Sequence, residues 1–169
     1  MGFNTEPGDD RAIHAIGAIR RTYAKDLPTV FVVLARMGIL SEFEMTVNLL
    51  RPAYALRSMT PFIPPRHLKS KGKNALLGQV QAELATRGLP PALRVELETR
   101  EGEWAALDSV STALRPWARF RGYVCRRAAR PPPVEISFSL RLVFAQAVQG
   151  PVTLGYGSHF GLGVFEPEL

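Results

Sequence analysis

Ile136-Ser137-Phe138-Ser139-Leu140-Arg141-Leu142-Val143-Phe144 is the stretch that decides the fold class. Side chains alternate across a strand, so Ile136, Phe138, Leu140, Leu142 and Phe144 fall on one face and predict a strand with one buried side. Downstream, a glycine-rich segment separates this strand from a short apolar one at 162–165. Upstream, Pro131-Pro132-Pro133 forms a stiff extended spacer, and 121–125 offers a short strand within the poorly patterned stretch 100–133. Residues 93–98 alternate Val95 and Leu97 with Glu96 and Glu98, the pattern of a half-exposed strand. Before them, Asn74 caps a helix predicted through Thr86, with Leu76, Leu77, Val80 and Leu84 at helical spacing and Gly88 at its end. Earlier still, a strand over 57–63 is stopped by Pro64-Pro65.

The order from Arg57 is strand, helix, strand, strand or strands, a glycine segment with room for a short helix, and a last strand. This predicts an α+β, ferredoxin-like (RRM-like, βαββαβ) domain over 57–169, a fold that often presents a face to RNA. Residues 1–56 read as a small α/β segment. Asp9 and Asp10 are candidate caps of a helix through Tyr23, Pro28 opens an apolar strand over 29–35, and Ser41-Glu42-Phe43-Glu44 is a capping box for a helix ending before Pro52. So short a segment buries too little to stand alone and is expected to be the tail of a preceding module or an arm packed on the domain after it.

Charge is concentrated. The chain of 169 residues carries a formal +6, yet Arg66, Lys69, Lys71 and Lys73 supply +4, and Arg115, Arg119, Arg121, Arg126, Arg127 and Arg130 another +6, with no acid inside either cluster. The remaining 11 basic and 15 acidic residues leave −4, so the positive charge belongs to two segments, as on a polyanion-binding face. The 46% apolar content is ordinary for a chain with a core, and no apolar run approaches membrane-span length. The N-terminus lacks the pattern of a signal peptide, and a single cysteine, Cys125, fits a reducing compartment; the expectation is a cytoplasmic protein with no membrane partner.

Gly150, Gly155, Gly157, Gly161 and Gly163 punctuate a run carrying Tyr156, Ser158, His159 and Phe160. Such a loop can bring backbone N–H groups close to a phosphate; it can equally form a bulged hairpin with aromatic plugs. It matches neither a dinucleotide fingerprint, since Phe160 stands where the third glycine belongs, nor a phosphate-binding Gly-Lys-Ser/Thr loop. Three scattered histidines and one cysteine give no zinc spacing, and no acidic cluster suggests a two-metal nuclease, so no metal or other cofactor is predicted.

RNA carries its own nucleophile, the 2′-OH, so cleavage needs a base, an acid and positive charge on the developing phosphorane. His67, between Arg66 and Lys69, is the first candidate, with an RNA-contacting or merely exposed residue as the alternative. His159 is the second, either as the partner of His67 or as an RNA contact or brace; His14 is a surface residue. Candidate RNA-binding residues are Arg66, Lys69, Lys71, Lys73, Arg121, Arg126, Arg127, Gly155, Tyr156, Gly157 and Ser158, with Tyr156 read as a base-stacking or a packing aromatic.

Arg57-Ser58-Met59-Thr60-Pro61-Phe62-Ile63-Pro64-Pro65-Arg66-His67-Leu68-Lys69 and Gly150-Pro151-Val152-Thr153-Leu154-Gly155-Tyr156-Gly157-Ser158-His159-Phe160-Gly161-Leu162-Gly163 together resemble the C-terminal part of the fused backbone-and-processing subunit of type I-U (I-G) CRISPR systems. That part belongs to the RAMP superfamily. The resemblance covers 57–169, and less specifically 11–56. It implies a ferredoxin-like, metal-independent endoribonuclease that cuts precursor CRISPR RNA within its repeats, can remain with the product in a Cascade-type interference complex beside other subunits, and uses a histidine at the place of His67. The family's backbone module is almost entirely missing ahead of this region, so the chain is expected to be a fragment, a split version or a separately produced subunit. A non-catalytic RNA-binding or assembly subunit of the same complex is the alternative function.

Overall fold

A computed structural model describes residues 10–22, 29–99, 102–107 and 132–168. The strand expected at 121–125 and the arginine cluster 115–130 lie outside the described residues. The chain divides into two units, Met1–Glu42 and Phe43–Leu169. In the first, α1 (Asp10–Ala18) is followed by an antiparallel pair, β1 (Arg21–Thr22) and β2 (Val30–Phe31), with Arg21 opposite Phe31. The helix thus stops short of Tyr23: the Arg20 guanidinium donates to the Gly17 carbonyl, and Val32 N–H donates to Arg20 O at 2.8 Å, drawing the residues after Ala18 into the pair. Of the strand expected over 29–35, only Val30–Phe31 forms.

The second unit is α+β, with a six-stranded antiparallel sheet: β3 (Ala53–Ser58), β4 (Arg94–Glu98), β5 (Trp104–Ala106), β6 (Leu140–Val148), β7 (Val152–Thr153) and β8 (Val164–Pro167), in the order β5-β4-β6-β3-β8-β7. The long strand β6 is central, paired with β4 on one side and β3 on the other. Leu140, Leu142 and Phe144 are buried, and the strand pairs with both neighbours, Leu142 standing opposite Leu56 of β3 and Val95 of β4. Phe62 and Phe138 exchange both backbone hydrogen bonds at 3.0 and 2.9 Å and extend the pairing past the end of β3.

Strand β3 begins at Ala53, ahead of the 56/57 boundary drawn from the sequence, because buried Ala53 and Leu56 bind it to the core; it ends at Ser58, where Met59 and Thr60 both turn their N–H groups to Val164 O. The helix expected before Pro52 is instead two 3-10 turns, Leu40–Glu42 and Asn48–Leu50. The Arg51 side chain supplies the physical reason in the second unit, donating to the carbonyls of Glu44 and Met45 at 3.0 and 2.9 Å, groups a continuing helix would have used.

Helix α2 (Leu76–Thr86) lies between β3 and β4 in the chain and places Leu76, Val80 and Leu84 in the core; Leu77 is exposed. Its start is two residues later than Asn74, since Gly72–Asn74 forms a 3-10 turn and Ala75 is extended. It ends as expected: Gly88 takes a φ of +67°, and Leu89 N–H returns to Leu84 O. Burying each of these leucines is worth about 1.5–3 kcal/mol, enough to hold a short helix whose own propensity would not. Among the described residues, no helix is long and apolar enough to cross a membrane.

Candidate nucleic-acid interface

The connection from β3 to α2 runs inward before it runs outward. Phe62 and Ile63 are fully buried, whereas His67 and the four cations Arg66, Lys69, Lys71 and Lys73 are exposed. None of these four cations forms an ion pair with a described residue, so the +4 read from the sequence stands unneutralised on one loop. What the loop hides is its backbone. Gln79 of α2, 1% exposed, accepts the Arg66 N–H at Oε1 (3.0 Å), and its Nε2 stands 3.2, 3.4 and 3.0 Å from the carbonyl oxygens of Arg66, His67 and Asn74. Lys69 N–H closes the loop onto Asn74 O at 3.0 Å.

The glycine loop docks against the same segment. Tyr156 N–H donates to Ile63 O at 2.8 Å and Gly163 N–H to Pro61 O at 2.9 Å, so both loops leave from adjoining backbone. Its other attachment is α2: Gly155 N–H donates to Glu83 Oε2 at 2.9 Å, Arg87 pairs with the same oxygen at 2.9 Å, and the second Arg87 nitrogen donates to Ser158 Oγ at 3.2 Å. Gly155 is buried at a φ of +89°, and a Cβ there would stand 2.6 Å from Ile63 O; both its conformation and its fit require glycine.

Most of the expected phosphate contact is therefore engaged within the protein: the N–H groups of Gly155, Tyr156 and Ser158 donate to Glu83 Oε2, Ile63 O and Gly155 O, and the Ser158 hydroxyl accepts from Arg87. Gly157 precedes a 3-10 turn, Ser158–Phe160, at a φ of +74°, and Tyr156 is half-buried. Exposed on this loop are His159, Phe160 and Gly161, the Phe160 ring at 61%. Arg121, Arg126 and Arg127 lie outside the described residues. No described residue hydrogen-bonds the imidazole of His67 or of His159.

The sheet carries a second set of charges, arranged differently. In register, Glu96 of β4 stands opposite Arg141 of β6, Arg141 opposite Arg57 of β3, and Arg57 opposite Glu166 of β8, one row on one face. Arg141 donates to Glu96 at 2.7 Å and to Glu168, Arg94 to Glu96 at 3.1 Å, and Arg57 to Glu166 at 3.0 Å. Burial works against the Glu96 carboxylate, but the hydrogen bonds from Arg141 and Arg94 outweigh it and hold its pKa below the usual carboxylate value. The hydrogen bond to Glu96, then that to Glu168, holds the Arg141 guanidinium the more firmly charged. This row is neutral and contains no aromatic side chain, so it lacks both the charge and the stacking platform of an RNA-reading sheet face.

Sequence reasoning placed the exposed cations and missed the residues that seat them. Gln79, Glu83 and Arg87 recur at i, i+4 and i+8, a polar stripe beside the apolar one of Leu76, Val80 and Leu84, and that parallel spacing was the available signal. Comparison of the chain with protein-family models, curated proteins and solved structures returns no match.

Proposed function

We propose that the chain binds RNA through the exposed loop 66–73 and the adjoining glycine loop, and that it acts as a RAMP-type, metal-independent endoribonuclease on precursor CRISPR RNA. The observation that carries this reading is the adjacency of the two loops: the hydrogen bond from Tyr156 N–H to Ile63 O holds the glycine loop beside the segment that leads into four unneutralised cations. The strand order supports a ferredoxin-like assignment. Taken as β4-β6-β3-β8, with α2 between β3 and β4, it has the layout of a split βαβ pair, with β7 and the Ser158–Phe160 turn in place of a second helix.

In the chemistry this implies, a base removes the 2′-proton, the 2′-oxygen bonds to the adjacent phosphorus, and the 5′-oxygen leaves with a proton from an acid. The products are a 2′,3′-cyclic phosphate and a 5′-hydroxyl. His67 is the candidate for one proton transfer, with Arg66 and Lys69 offsetting the charge that builds on the phosphorane, and His159 is the candidate for the other. The test is single-turnover cleavage of repeat RNA in excess chelator, where His67→Ala should slow cleavage by about 10²–10⁴-fold while binding changes little.

One observation favours a second reading. Catalytic imidazoles are usually oriented by a hydrogen-bonded partner, and neither His67 nor His159 has one among the described residues. A non-catalytic RNA-binding or assembly subunit would need only the cationic loop. RNA bound by the wild-type chain without cleavage under any condition decides for that subunit.

A further inference from the structure

Gly78 and Gln79 are adjacent on α2, and both face the basic loop. A Cβ at Gly78 would stand 2.6 Å from Gly72 O and 2.8 Å from Lys73 Cα, so the loop backbone lies directly on the helix where a side chain is missing. An interior helix glycine costs about 1 kcal/mol relative to alanine, and here the close approach of 72–73 explains its presence. Gln79 then binds the loop from both directions: one N–H of the loop enters its amide oxygen, and the two protons of its nitrogen are shared among three loop carbonyls.

Together these two positions convert residues 66–74 from a string of repelling cations into a loop of fixed path. Four like charges with no acid among them favour an expanded chain, and every exposed residue of the loop is cationic apart from His67, Ser70 and Gly72. The hydrogen bonds of the buried Gln79 amide to both ends of the loop oppose that expansion. We infer that Gln79, with Gly78, is the positioning element of the RNA-binding loop: it touches no RNA and carries no charge, but sets where Arg66, His67, Lys69, Lys71 and Lys73 stand before RNA arrives. The inference rests on the RNA-binding reading above and adds to it that the loop is organised in advance.

Two neutral substitutions separate positioning from charge. Gln79→Met keeps the volume and removes all four contacts; Gly78→Ala keeps the amide but pushes the 72–73 backbone off the helix. Val80→Ala, one residue further along the same helix, is the control: it removes fully buried apolar volume and leaves every hydrogen bond from Gln79 to the loop in place. The probe is a fluorescent single-stranded RNA oligonucleotide, titrated well below each variant's melting temperature, with amide hydrogen exchange read over 66–74. For Gln79→Met and Gly78→Ala the expected result is faster exchange confined to that loop and an affinity loss of about tenfold, the equivalent of about 1.4 kcal/mol. Val80→Ala should lower the melting temperature and leave affinity within about twofold.

Wild-type affinity in both loop variants, alongside faster loop exchange, would overturn the inference while leaving RNA binding in place. An affinity loss in Val80→Ala equal to theirs would overturn it as well, because a general loss of stability would then account for all three. If Gln79→Met does not fold, Gly78→Ala decides alone. A wild-type chain that binds no RNA at low salt removes the functional reading itself, and the inference with it.

Discussion

The loop 66–73 and the sheet row of Glu96, Arg141, Arg57 and Glu166 are both dense in charge, and they use it in opposite ways. On the sheet each arginine meets a carboxylate within hydrogen-bond distance, and Glu96, 6% exposed, takes two. On the loop the hydrogen bonding is confined to the backbone, and the cationic ends are left to solvent. Paired charges fix strand register; unpaired ones attract counterions, which a polyanion can displace with a gain in entropy. The difference separates a structural use of arginine from a binding use, on a chain whose overall +6 describes neither.

The largest expected effect tests the loop side of that comparison. Replacing Arg66, Lys69, Lys71 and Lys73 together by glutamine should weaken binding of a single-stranded RNA by about 10²-fold or more at low salt, and should lower the log–log salt slope by roughly up to three units. Thermal stability should hold or rise slightly, because mutual repulsion is relieved. An unchanged salt slope would break the comparison outright.

The second effect is on stability and concerns the sheet. Glu96→Gln leaves Arg141 and Arg94 without their shared charged acceptor and should cost about 2 kcal/mol, the worth of hydrogen bonds to a charged group, with RNA affinity unaltered. The pH dependence has its origin in the same bonds. The folded-state pKa of Glu96 lies below its ordinary value of 4.5, so its contribution is fully present above about that pH and is lost as pH falls through the lower, folded-state value. Urea unfolding between neutral pH and pH 3 should therefore show a smaller acid loss in Glu96→Gln than in the wild type; equal losses would remove Glu96 from the account.

Next comes Gly155→Ala, at the glycine loop, which shares the binding side with the cations but is built by packing. A Cβ at φ +89°, pressed against Ile63 O and the Phe62 ring, should destabilise the fold by about 1–3 kcal/mol and disturb the neighbouring His159. An unaltered melting temperature would show the loop free to move away from Ile63.

How much of this was legible in the chain depends on whether the deciding contacts are local. The strand β6, expected over 136–144 and found at Leu140–Val148, and the helix α2 were readable in kind because alternation and helical spacing are properties of consecutive residues, as the buried Leu140 and Leu142 or Leu76, Val80 and Leu84 demonstrate. In 1–52 the helix beginning at Asp10 was readable, but the extents of the elements were not, since Arg20, Thr46 and Arg51 end the turns there through side-chain bonds that no periodicity encodes. In the candidate site the cations could be counted in advance. That the Gly155 N–H meets Glu83 depends on segments 72 residues apart arriving together, and that Gln79 threads three carbonyls depends on a loop folding back on its own helix, which no periodicity encodes.

The smallest expected effect is at Arg57, where the two uses of charge come closest. Arg57 stands in the neutral row, but its side chain is 48% exposed and its ion pair to Glu166 is solvent-screened. Arg57→Gln should therefore shift stability by less than about 1 kcal/mol, and less again in high salt, since an exposed pair contributes little in water. Its effect on RNA affinity should stay within about twofold, because a guanidinium already held by Glu166 offers a phosphate less than the free ends of Lys71 or Lys73. Measured beside the loop variants, this substitution draws the border of the binding surface. If Arg57→Gln removes close to one unit of salt slope, the ion pair opens for RNA and the sheet face joins the loop; if the slope is unchanged, the border runs between Ser58 and Arg66.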